Sequence, residues 1–505
     1  MLRNTLYLRL LECVKKKDVT STRNVHLCLL NYCQDSISTL GGYLIRALTT
    51  STATLFEANL AFSSVSKPCV FTWNAIILAH TIFGEDFIAL DLYTQMMGDG
   101  LQPNDATLSW VVKICGGVGA LLEGMLLHQQ VVENGSEMNV IVGNSLVDMY
   151  AKCGRLEEAR NVFDKLPGKT VVSWGAMFSG YAQQGEGQTA LELFKKMLLC
   201  YHDVEPNAFI YSCLLKGCSN THLIEQGKLV HKNAVISSFD VHEVVGGSIV
   251  DMYAKCGNLE DAHKVFQALP HKNVVLWGAL MTGFVEHGHS LHTIDLFFEM
   301  QEKGITPSRA TFLCVLKACS DVGVFEVGML LHDHILRMGL HHEVAIGTLL
   351  IEMYAKCGKL KEAQRVFDKL PPNSVAWGTL IAGYAHVNNY SCEQYLETMQ
   401  QEGVKPNDLT YSSLLSSYSH AGTSEEGCLS FKHMMETHGI SPSIEHYNCL
   451  VDLLGRTGSL EESKYLLHTM PFLPDFVGWT ALLANCHSHG NVTLAKGLFN
   501  HALES

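Results

Sequence analysis

The sequence predicts an all-α protein, an α-solenoid of about fifteen helix-turn-helix repeats forming a right-handed superhelix. Three observations carry the prediction. Five of the six Trp fall at 73, 174, 277, 377 and 479, so a rare residue recurs at separations of 101, 103, 100 and 102. The same interval separates the blocks VDMYAKCGRLEEARNVFDKLP at 147, VDMYAKCGNLEDAHKVFQALP at 250 and IEMYAKCGKLKEAQRVFDKLP at 351, with a diverged relative, VDLLGRTGSLEESKYLLHTMP, at 451. Within these blocks the apolar residues follow helical spacing and not the alternation of a strand.

The segment 140–170 shows why each unit is a hairpin. Leu146, Val147, Tyr150 and Ala151 share one helical face, Gly154 supplies a left-handed stop, and Leu156, Ala159, Val162 and Phe163 form a second apolar stripe. Neither helix can bury its stripe alone, so neighbouring hairpins must stack. Each period of the Trp contains three units. Aligned on the Trp, ordinary units lie at 70–104, 171–207, 274–308 and 374–407. Long units follow at 105–139, 208–242, 309–343 and 408–443, and short ones at 140–170, 243–273, 344–373 and 444–475. Residues 3–37 and about 38–69 read as two degenerate units. The predicted organisation is thus degenerate repeats at 1–69, the regular array at 70–475 and a C-terminal segment at 476–505.

Composition bounds the function. The 36 Lys and Arg against 50 Asp and Glu give a net charge of -14, which argues against a strongly basic nucleic-acid binder. Charged residues at 17% and hydrophobic ones at 47% exclude a disordered chain. The length of 505 residues suggests three domains, but the period turns them into one array. No apolar run approaches the roughly 18 residues of a membrane span, so no membrane insertion is expected. The opening MLRNTLYLRLLECVKKKDV lacks the apolar core of a secretory signal. With a unit beginning near residue 3, the expectation is that either the start is incomplete or targeting overlaps the first helix.

The seventeen Cys contain no C-x-x-C pair, and the single H-x-E match, His341 with Glu343, lies in an inter-unit loop, so no metal site is expected. Cys13, Cys115, Cys218, Cys319 and Cys486 occupy one repeat position, and Cys153, Cys256 and Cys357 another, as packing residues do. His26, His128, His231 and His332 likewise recur at one position. There is no phosphate-binding G-x-x-x-x-G-K-S/T, nucleophile elbow or paired-carboxylate motif. No catalytic residues, no cofactor and no enzymatic activity are expected.

A basic row is more informative. Lys152, Lys255, Lys356 and Arg456 take one place near the end of the first helix in the four short units. Such cations suit either a phosphate backbone or the negative end of the helix dipole. Acidic residues cluster elsewhere: Glu157, Glu158, Glu260, Asp261, Glu461 and Glu462 open second helices.

Units near 35 residues that end GLQPN at 100–104, GITPS at 304–308 and GVKPN at 403–407 resemble pentatricopeptide repeats, and the alternation with short MYAKCG units resembles the plant PLS subclass. The last segment, with Trp479, Leu482, Leu483, Cys486, His489, Gly490, Asn491 and Val492, is similar to the extension motif of RNA-editing factors. It stops at Ser505, short of a second extension motif and of the DYW deaminase domain.

The resemblance implies single-stranded RNA as the partner, in a mitochondrion or chloroplast, with one base read per unit by the fifth and last residues while the second packs on the bases. The base-reading residues it implies are Asn74, Asn104, Asn144, Thr170, Thr348, Asn373, Asn407, Asn448 and Asp475. Asn74 with Asn104 would favour a pyrimidine, Thr348 with Asn373 adenine, and Asn448 with Asp475 uracil. Phe71, Ile141, Val172, Val244, Val275 and Val375 are the implied packing residues, and Lys152, Lys255, Lys356 and Arg456 the phosphate contacts. Gly175, Gly247, Gly278 and Gly378 stand at fifth positions without a side chain, which predicts patchy specificity. The implied role is site recognition for C-to-U RNA editing with a deaminase or other editing factor recruited in trans. Transcript stabilisation, splicing, translation control and a protein-binding scaffold are the alternatives.

Overall fold

A computed structural model of the chain describes residues 2–16, 18–32, 34–50, 54–201, 204–386 and 392–504. Among these residues there are thirty α-helices and no strand, paired as fifteen consecutive hairpins. They divide into two compact units, Met1–Pro270 with eight hairpins and His271–Ser505 with seven.

Each hairpin begins where sequence alignment on the Trp places it. First helices start at residues 70, 105, 140, 171, 208 and 243 in the first unit, or within one residue of these, and the second unit repeats the pattern from Val274. One boundary differs: the degenerate unit expected from about 38 begins earlier, because helix Gln34–Thr50 runs through that point. The short repeats owe their length to the second helix. Leu156–Lys165 and Leu259–Ala268 have ten residues, whereas Asp86–Gly98 and Leu121–Glu133 have thirteen.

Local chemistry sets the helix ends. The residue before many first helices is Asn, Thr, Ser or Asp, whose side-chain oxygen accepts a backbone N–H of the first turn. Gly154 turns the first helix of its hairpin into the second at φ +75°, a conformation that residues with a Cβ rarely adopt.

Within each unit the first helix of a hairpin packs on the first helix of the next, while the second helices rest mainly on first helices. Within each unit the first helices therefore form a continuous wall. Trp73, Trp174 and Trp377 lie at joints of these walls. Trp73 meets Phe62 edge-on at 4.8 Å, Trp174 meets Phe163 at 4.9 Å and Trp377 meets Phe367 at 4.6 Å, so the last apolar residue of one hairpin's second helix keys into the fourth residue of the next hairpin. Of the predicted stripes of 140–170, Leu146, Val147, Tyr150, Ala151, Ala159, Val162 and Phe163 are buried and Leu156 is half-buried.

Candidate nucleic-acid interface

Along a first helix the second and fifth residues are three apart and share a face. The six predicted packing residues at second positions, Phe71, Ile141, Val172, Val244, Val275 and Val375, are all exposed, Ile141 and Val172 at 66% each. Large apolar side chains recur in water at this one repeat position, whereas most other apolar residues of these helices are buried in the stack, with Ile82, Val322 and Phe476 among the exposed exceptions. Phe209, Leu409 and Val477 occupy the same second position, are equally exposed, and were not among the sequence-predicted residues although the period places them there.

The fifth and last residues prove to be neighbours in two units. Asn74 is buried and donates from Nδ2 to Oδ1 of Asn104 at 3.3 Å, while Thr107 donates to Oδ1 of Asn74 at 2.7 Å. Asn448 donates to both oxygens of Asp475, at 3.0 and 3.2 Å. Asn448 Oδ1 is buried and makes no hydrogen bond within the chain. A Cβ at Gly478 would stand 2.7 Å from that oxygen. Gly478→Ala is therefore expected to force the Asn448–Asp475 pair apart and to destabilise the joint by about 1–3 kcal/mol, as other overpacking changes do, in a urea melt. A neutral effect would show that the joint has slack.

Elsewhere the expected pairing is not formed. Asn373 turns away from Thr348: its Oδ1 accepts from the backbone N–H of Ala376 at 2.8 Å and its Nδ2 donates to the carbonyl of Pro371 at 2.9 Å. The last residue of a unit is also the cap of the next first helix, and at Asn373 the amide nitrogen left over by capping is taken by the carbonyl of Pro371. Asn104, Thr170, Asn407 and Asp475 cap in the same way, the first three in reciprocal boxes with Thr107, Ser173 and Thr410. Capping occupies their oxygens, so the side-chain nitrogens of Asn104 and Asn407 remain for a ligand. Asn144 keeps a buried Oδ1 without a hydrogen bond.

Thr348 lines an open groove of about 520 Å³ together with Arg309, Glu343, Val344, Ala345 and Val375. Ala345 and Val375 hold the second positions of successive hairpins, and Thr348 lies between them. Its hydroxyl donates to the carbonyl of Val344 at 2.7 Å, so it presents lone pairs outward. An apolar wall and a hydroxyl acceptor in one cleft can hold a planar ring and bond one edge of it.

The predicted cations are not a row of free charge. Lys152 lies 2.7 Å from Asp148, Lys255 3.1 Å from Asp251, Lys356 2.8 Å from Glu352 and Arg456 2.7 Å from Asp452. The carboxylate stands one helical turn earlier each time. Serines of the preceding long hairpin bond three of these acids, Ser219 to Asp251, Ser320 to Glu352 and Ser419 to Asp452. Burial works against the ionised form of Glu352, but Lys356 and Lys317 bond it and hold its carboxyl below the usual range. A phosphate must compete with these carboxylates.

The recurring His are structural. His128, His231 and His332 share a hydrogen bond between Nδ1 and the hydroxyl of Tyr150, Tyr253 and Tyr354, at 2.9, 3.1 and 2.8 Å. Burial pushes all three imidazoles below their ordinary value. For His231 the charges of Asp240 and Asp261 oppose that shift, and for His332 Lys369 and His341 reinforce it. These rings fold neutral and titrate near 6.5 when unfolded, so their contribution is complete above that pH and is lost as pH falls through the lowered folded values. The melting temperature is expected to drop between pH 7 and 5, and a His128→Gln, His231→Gln, His332→Gln variant to flatten the drop. An unchanged slope would refute this origin.

The recurring Cys are buried alongside. Burial pushes the thiols of Cys115, Cys218 and Cys319 up to about 12, which keeps them protonated and inert. Glu343 of the H-x-E match is ion-paired to Arg309 at 2.5 Å, and no cluster of three metal-ligating side chains occurs among the described residues.

Comparison with known proteins agrees with this architecture. Models of the PPR repeat family match residues 169–220, 272–321 and 372–420, and the PPR repeat matches 144–171, 247–274, 348–371, 409–437 and 445–472. A mitochondrial pentatricopeptide repeat-containing protein of Arabidopsis thaliana is 33% identical over 493 residues, 95% of this chain and 87% of that one. Another from that plant is 34% identical over 439 residues, where the chain spans only 64% of the relative's length. The chloroplastic CRR2 of the same plant is 35% identical over 403 residues, 78% of this chain and 61% of its own. Among solved structures, the maize protein PPR10 in a crystal structure is 16% identical, with a TM-score of 0.56 over 96% of this chain and 84% of that one. In complex with an 18-nt psaJ RNA element the PPR10 chain gives a TM-score of 0.59 at 15% identity, over the same shares. These likenesses to PPR10 bear on the fold alone. With its joints, its alternating hairpins and relatives matched along most of their length, the chain belongs to the pentatricopeptide repeat family of plants.

Proposed function

We propose that this chain binds single-stranded RNA along the N-terminal ends of its first helices, one nucleotide per hairpin. The observation that carries the reading is the exposed apolar residue at second positions beside a polar fifth residue, as at Ile141 with Asn144. Bases have apolar faces and hydrogen-bonding edges, and such a pair offers one group for each. The complex of PPR10 with RNA supports the same ligand class. Relatives named mitochondrial and chloroplastic support an organelle as the site of action.

Within that reading, the array 70–475 presents the RNA, 1–69 opens it and 476–505 closes it. The extension-like residues around Trp479 favour a role in C-to-U editing, with a deaminase acting in trans. Fluorescence anisotropy with the full chain tests the binding itself: 20-nucleotide single-stranded RNA should be retained and the corresponding duplex should not. Equal affinity for both, or for neither, overturns the proposal. Sequencing organelle transcripts from plants lacking the protein separates lost edits from lost introns or lost transcript ends.

A further inference from the structure

The four glycines at fifth positions are not equivalent. A Cβ at Gly175 would lie 3.1 Å from two ring carbons of Phe209, and one at Gly378 would lie 3.3 Å from two side-chain carbons of Leu409. At Gly247 and at Gly278 a Cβ would meet nothing within 4 Å. Between Gly175 or Gly378 and Gly278 the difference lies in the second residue of the following hairpin: Phe209 and Leu409 are large and Ala310 is small. Phe209 and Leu409 are nevertheless 54% and 43% exposed, so each covers its glycine from one side and shows its other side to solvent.

We infer that Phe209 and Leu409 take over the place of the missing reading side chain, so that the nucleotides opposite Gly175 and Gly378 are held by apolar contact whatever their identity, whereas the slot at Gly278 is vacant, base-tolerant as it stands and open to a reading side chain. The inference rests on the RNA-binding reading above. A ring or branched chain contacts every base through its π-face and bonds none of their edges. Glycine at 175 and 378 is then a steric requirement of the neighbour's side chain, and at 278 it is a position where a polar residue fits. Specificity in this chain is set by pairs of residues in successive hairpins.

The test uses the full chain and a pool of 20-nucleotide single-stranded RNAs of random sequence, with the bound fraction sequenced and affinity read by anisotropy. Gly278→Asn should convert one base-tolerant position into a selective one. Gly175→Asn alone should add no selectivity, and Gly175→Asn with Phe209→Ala should add it. Phe209→Ala by itself should weaken binding of the whole pool by roughly tenfold without changing base preferences. Circular dichroism melts verify folding, and the double variant relieves the contact if Gly175→Asn unfolds. Selectivity gained by Gly175→Asn alone, or none gained by Gly278→Asn, overturns the inference while leaving RNA binding intact. A wild-type chain that retains no RNA overturns the underlying reading instead.

Discussion

Replacing Trp174 by alanine is expected to cost about 3–5 kcal/mol, the range found when large buried aromatics are truncated. The indole is fully buried, with Phe163 at 4.9 Å, Tyr201 at 5.2 Å and Phe178 at 5.8 Å around it. Phe163 belongs to one hairpin and Trp174 to the next, so truncation empties a joint. Arrays of hairpins owe stability to nearest-neighbour interfaces, and damage therefore stays local. Hydrogen exchange should accelerate in 140–165 and 171–200 first, while a global melt underestimates the loss because long arrays do not unfold in two states. Uniform exchange throughout the first unit, or a cost under about 1 kcal/mol, would contradict this account of the joint.

Placing aspartate at both Ile141 and Val172 is expected to lower affinity for single-stranded RNA by about a hundredfold, roughly tenfold for each nucleotide that loses its apolar contact. Both side chains are 66% exposed, so stability should shift by less than ~0.5 kcal/mol. The aspartates also add negative charge beside a phosphate chain. Anisotropy titration and a melt on the same preparation separate the two effects. Unchanged affinity with an unchanged melt would move the interface off this face and favour a protein-binding scaffold.

Much of the fold is legible because helix period and repeat period are written in single residues. Trp73, Trp174 and Trp377 at their joints, Gly154 at its turn and the stripes of 140–170, buried except for half-buried Leu156, each report a local requirement that the structure meets. The candidate interface is legible in part. The six second-position residues expected to pack on bases are exposed, which leaves them accessible to a ligand. Asn373 departs from the expected pairing because the backbone of Ala376 holds its oxygen and the carbonyl of Pro371 takes its nitrogen, a local turn that residue identity alone does not reveal. The acids facing Lys152, Lys255, Lys356 and Arg456 were visible as i, i+4 spacings, but a row counted by position hides the partner one turn earlier. The contrast between Gly175 and Gly278 depends on Phe209 and Ala310, more than thirty residues on, and becomes apparent only when successive hairpins are laid side by side.

The ion pairs at the ends of the short hairpins' first helices bear on how such a chain would search for its RNA. A nucleic-acid binder with bare lysines dwells on any polyanion, because released counterions reward every contact alike. Here each of the four cations is matched to a carboxylate, and the chain as a whole carries -14. On the RNA-binding reading proposed above, wrong transcripts would then be released quickly, and residence time would come from bases seated between neighbouring apolar side chains. A modest dependence of affinity on salt, with a steep dependence on sequence register, is the kinetic signature of that arrangement.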